Sequence, residues 1–128
     1  MKKQKKDMFE VDWVIFPFHV LVCLGSTRED ILRKLKNLRY EASEKEIDQI
    51  NMYGIGRCVM LENGGTILWI RDYPNEAGSL SCITHEVFHA VYFLLGRVGI
   101  EISDDSDELV AYMQGYLVNK ILNRIAKK

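Results

Sequence analysis

A long apolar segment, residues 79–95, carries His85-Glu86-Val87-Phe88-His89, the pattern H-E-x-x-H, and this combination constrains the chain most. Ser79 can cap a helix there, and Leu80, Ile83, Val87, Phe88, Val91, Phe93, Leu94 and Leu95 would continue it until Gly96. So apolar a helix belongs in the interior. Residues four apart share a helix face, so His85 and His89 project side by side. Two such imidazoles can take two corners of a tetrahedral zinc site, leaving Glu86 beside a metal-bound water. Burying both rings without partners would cost about 1–3 kcal/mol each, and a metal would supply the missing partners.

The remaining pattern describes one α+β domain spanning residues 1–128. Phe9–Phe16 and Phe18–Leu24 are two strands, or one strand broken at Pro17. Thr27-x-x-Asp30 opens an amphipathic helix over Thr27–Arg39, and Ser43-x-x-Glu46 opens a second, short one. Gly54-Ile55-Gly56 is a turn. Arg57–Leu61 and Thr66–Arg71 form a hairpin about Glu62-Asn63-Gly64-Gly65, and Asp72–Asn75 is a loop. The last helix follows the acidic stretch 103–108 and runs to about Ile125, with Leu109, Met113, Tyr116, Leu117 and Ile121 as its apolar stripe.

Composition removes several classes. Apolar residues make up 48% and charged ones 27%, which argues against disorder. A net charge of −1 gives no global field favouring nucleic acid or a membrane. Lys2, Lys3, Lys5 and Lys6 read as a disordered basic tail over residues 1–7. The apolar run Val14–Leu24 is interrupted by Pro17 and His19 and followed by no small-residue cleavage site, so neither a signal peptide nor a membrane span is expected. Cys23, Cys58 and Cys82 include no C-x-x-C pair and fit reduced thiols of a cytoplasmic protein. His19 reads as a structural residue.

A zinc site needs a third protein ligand. Tyr92 and Leu95 stand where an H-E-x-x-H-x-x-G-x-x-H motif needs Gly and His, which excludes that class. Eighteen residues separate His89 from Glu108, giving H-E-x-x-H-x18-E. On these motifs the hairpin, the active-site helix and the Glu108 helix, about half the chain, resemble the gluzincin-type zinc metallopeptidases, in a minimal form such as a phage or bacterium would encode.

The resemblance implies a zincin-like domain: a small antiparallel or mixed sheet packed on the active-site helix and the following Glu helix. It implies zinc on His85, His89 and Glu108, and Glu86 as the base in hydrolysis of a peptide or protein substrate. It implies further that Thr66–Arg71 is an edge strand pairing with extended substrate. Tyr112, one turn beyond Glu108, is the candidate second oxyanion donor or else a packed core aromatic, and Trp69 is either a substrate contact or core. Asp104, Asp105, Asp107 and Cys82 are alternative third ligands, and Asp105-x-x-Glu108 also fits a reciprocal cap that would divert Glu108. Two rivals stay open: a zinc-stabilised binding or assembly protein without turnover, and a metal-free protein whose histidines are core.

Overall fold

The computed structural model describes residues 5–127 apart from 52, 75 and 76, and the side chains of 77–79 are likewise outside the description. Four strands and four helices follow in the order β1 (Asp7–Asp12), β2 (His19–Leu24), α1 (Arg28–Asn37), α2 (Glu44–Gln49), β3 (Gly56–Met60), β4 (Thr66–Ile70), α3 (Ala77–Val98) and α4 (Asp107–Ala126). The strands form one mixed sheet in the order β1-β2-β4-β3. β2 and β4 pair in parallel, and both outer pairs are antiparallel.

Alternation along the strands sorts side chains onto two faces. Val20, Val22, Leu24, Leu68 and Ile70 pack on α3 and α4. Leu21, Cys23, Ile67, Trp69, Val59 and Leu61 form the other face with Ile31 and Leu35 of α1 and with Ile50. The chain is therefore three layers, helices on both sides of the sheet. Fully burying each large aliphatic side chain of α3, such as Ile83, Leu94 or Leu95, contributes about 1.5–3 kcal/mol.

Local capping signals form as expected. Thr27 with Asp30, and Ser43 with Glu46, each make the reciprocal capping box. Other boundaries move. β1 stops at Asp12, and residues 13–18 are a turn in which Val14 takes a φ of 26°. The basic tail is shorter than residues 1–7: Asp7 begins β1, Lys6 pairs with Asp30 at 3.1 Å, and Lys5 lies 4.5 Å from the Tyr73 ring centre. Lys2 and Lys3 lie outside the described residues.

α3 starts at Ala77, ahead of Ser79, and passes through Gly96 to Val98. Its end falls at Gly99, whose φ is 80°. Ile100 N–H donates to the Leu95 carbonyl (2.9 Å) and Gly99 N–H to the Gly96 carbonyl (3.3 Å), a terminal motif that needs a left-handed residue at Gly99.

Trp69 is core: it is 3% exposed and donates Nε1–H to the Ser26 carbonyl at 2.7 Å, on the face away from α3. β4 is a central strand, hydrogen-bonded to β2 on one side and β3 on the other, so it is not the edge expected of Thr66–Arg71. The edge beside α3 is β3. His19 opens β2 with an exposed side chain whose Nδ1 stands 3.9 Å from Glu10. Among the described residues no helix is long and apolar enough to cross a membrane.

Candidate metal centre

His85 and His89 meet on α3 as their spacing requires, with their Nε2 atoms 3.2 Å apart. Two nitrogens each about 2.0–2.1 Å from one zinc at a tetrahedral angle stand about 3.3 Å apart, so the pair matches two corners of such a site. Without metal, the same separation lets one neutral ring donate to the other. The rings lie 70° to each other, and His89 stacks on Phe93 with centroids 6.3 Å apart.

The rings are not buried, contrary to expectation. His85 is exposed and His89 half-buried, and the same flank of α3 leaves Phe88 at 40% and Tyr92 at 55% exposure. The helix is apolar nearly all round and packs chiefly on the sheet and α4, and among the described residues a third flank stays open. Solvent can satisfy both imidazoles, so their burial does not call for a metal.

The buried polar group of this helix is Glu86: it is 7% exposed, its carboxylate makes no hydrogen bond to a described residue, and its oxygens are not fully cut off from solvent. Burial raises its pKa above the ordinary carboxylate value, with His85, His89 and Arg57 pulling the other way. Cys82 and Cys58 share this corner, and burial raises both thiols further, with the Glu86 charge adding to the effect. Neither is a ready thiolate.

Gly56 explains how the strand comes so close. A Cβ there would lie 2.8 Å from the Cys82 Sγ and 3.1 Å from both Cγ and Oε2 of Glu86. Only a residue without a side chain lets β3 cover the glutamate at this distance. Gly56 is therefore not part of a turn alone, as expected from Gly54-Ile55-Gly56, but opens β3, and a glycine at the head of a strand is the sequence signal for a close approach.

The expected third ligand is not gathered to the pair. α4 buries Val110, Met113, Leu117 and Ile121, and at about 100° per residue Glu108 falls roughly opposite that stripe, in solvent. Among the described residues no group of three or more His, Cys, Asp or Glu side chains is placed to hold a metal. The reciprocal cap that would divert Glu108 does not form either: the N-cap position is Ser106, which makes no side-chain capping bond, and Glu108 makes no hydrogen bond to a described residue. Asp104, Asp105 and Asp107 are likewise exposed. Cys82 turns to β3, its thiol 3.5 Å from the Ile55 carbonyl.

Tyr112 is neither packed core nor beside Glu86. It is 76% exposed and lines a small cleft with Trp13 and Phe16 at the β1–β2 turn. The cleft lined by Glu10, His19, Arg39 and Tyr40, about 390 Å3, includes none of the H-E-x-x-H residues.

The free edge of β3 completes the site. Arg71 N–H donates to the Ile55 carbonyl and Leu61 N–H to the Gly65 carbonyl, so odd-numbered residues of β3 face β4. The N–H and C=O groups of Gly56, Cys58 and Met60 consequently point outward, and they make no backbone bond to a described residue. No protein-family model, curated protein or solved structure matches this chain.

Proposed function

We propose that the protein is a zinc-dependent peptide hydrolase of zincin-like design, with His85 and His89 as metal ligands and Glu86 as the proton carrier. The observation that carries this reading is the conjunction on α3 of a histidine pair at zinc-ligand spacing and a buried, unbonded glutamate between them. Glu108 is the proposed third ligand on spacing alone, and its coordination requires the first turn of α4 to rearrange so that Glu108 turns toward α3. Tyr112, on the same solvent side of α4, would need the same movement to act as an oxyanion donor.

Bound zinc would supply a Lewis acid and lower the pKa of a water in its open position. The protein residues do the rest. The outward N–H and C=O groups of Gly56, Cys58 and Met60 can pair with an extended peptide and align it beside Glu86. Glu86, made more basic by burial, takes a proton from the attacking water as oxygen bonds to the peptide carbon. The proton then goes to the amide nitrogen as the C–N bond breaks.

The rival reading, a zinc-stabilised binding or assembly protein, draws on the ungathered third ligand. It leaves the buried Glu86 without a task. Cleavage of an unbiased peptide library by the zinc-loaded chain, read by mass spectrometry, tests the choice. The expected result is cleavage by the parent and none by Glu86→Gln; equal cleavage by both would remove Glu86 as the base.

A further inference from the structure

One cleft on the open flank of α3 is unused by the chemistry above. It has a volume of about 370 Å3 and is lined by Met60, Tyr92, Phe93, Gly96 and Arg97. It continues the line of the site: Glu86, His89 and Phe93 follow one another along the flank of α3 that faces β3. Met60 is 43% and Tyr92 55% exposed, so this apolar lining is open to solvent. The Arg97 guanidinium closes its far end by donating to the Glu62 carbonyl.

The backbone of β3 says what can lie over it. The outward groups of Gly56, Cys58 and Met60 alternate with inward ones, a pattern that only an extended polypeptide matches residue by residue. In such a pair, residues directly opposite project to the same side of the sheet. A peptide residue opposite Gly56 stands over Glu86. One opposite Met60, about 13 Å further along at about 3.3 Å per residue, stands over Tyr92, Phe93 and Gly96.

We infer that this cleft is a specificity pocket that takes a large apolar or aromatic side chain of a peptide paired with β3, at a fixed offset from the residue beside Glu86. The inference rests on the peptide-binding part of the function proposed above and not on turnover. Gly96 lines the pocket, and a Cβ added there meets nothing within 4 Å. A leucine at this position in the last turn of α3 therefore has room for its Cβ beside the cleft and improves helix propensity.

The test is selection of an unbiased heptapeptide library on the 128-residue chain carrying Glu86→Gln, in zinc-containing buffer, with and without Gly96→Leu. The pocket predicts enrichment of Phe, Tyr, Leu or Met at one position, falling about tenfold when Leu fills the cleft, within the range one pocket contact supplies. Binders without an apolar preference, an enrichment that Gly96→Leu leaves intact, or no binders at all would each overturn it. Failure of the parent to cleave the library, with selective binding retained, would instead count against hydrolysis alone.

Discussion

Two glutamates lie buried on opposite faces of the same sheet, and their surroundings differ completely. Glu46, 2% exposed, accepts hydrogen bonds from the Tyr40 hydroxyl, the Ser43 amide (2.9 Å) and the Glu62 amide (2.9 Å). Burial alone would raise its pKa, but these donors overcome that effect and hold it below the ordinary value, while Tyr40 is pushed up to about 12. Glu86, 7% exposed, makes no hydrogen bond to a described residue and is raised. A carboxylate with both oxygens engaged by protein donors ties elements together, here α2 to the β3–β4 turn. A carboxylate largely withdrawn from water and bonded to no protein donor is held less favourably in its charged form, and such a group is characteristic of a site that handles a ligand or a proton.

The contrast breaks most sharply on activity. Glu86→Gln is expected to lower peptide hydrolysis at least about 100-fold while leaving zinc bound, measured as initial rates on a cleaved library peptide. Glu46→Gln, compared at a temperature where it is folded, should leave the rate within about twofold. A large loss from Glu46→Gln and none from Glu86→Gln would reverse the assignment.

Stability should follow the opposite order. Glu46→Leu strands the Tyr40 hydroxyl and two amides and should cost about 3 kcal/mol in urea denaturation. Glu86→Leu removes a largely buried carboxylate that no described group bonds and should be neutral or stabilising by about 1 kcal/mol. Comparable losses at both positions would mean that Glu86 has structural partners after all.

Acid sharpens the same comparison. Glu46 is held below its usual 4.5, so its contribution is complete above that value and is lost as pH falls through the lowered one. The stability gap between the parent and Glu46→Leu should therefore shrink between about pH 5 and pH 2. A gap that widens on acidification would contradict the direction. The smallest effect concerns the strand cover: Gly56→Ala should press on Cys82 and Glu86 and reduce kcat/KM several-fold, with a Tm change of only a few degrees.

What the sequence disclosed was mostly local. Both capping boxes and the pairing of His85 with His89 depend on residues within a turn of each other, and each was legible. Strand order was not, because β4 becomes central only through its parallel pairing with β2, forty-odd residues earlier in the chain. Burial of the histidines was misjudged for a related reason: apolar content around α3 cannot tell which flank the neighbours leave open. The phase of α4 was nearly readable. Val110, rather than Leu109, lies in the buried stripe, and that rotation sends Glu108 toward solvent.

The central claim is that His85 and His89 form half of a zinc site, and metal analysis tests it most directly. After zinc reconstitution and removal of free metal, the 128-residue chain should retain about one zinc, Glu86→Gln the same, and His85→Ala or His89→Ala none. A parent chain that retains no zinc, or a His89→Ala chain that retains as much as the parent, would contradict the account.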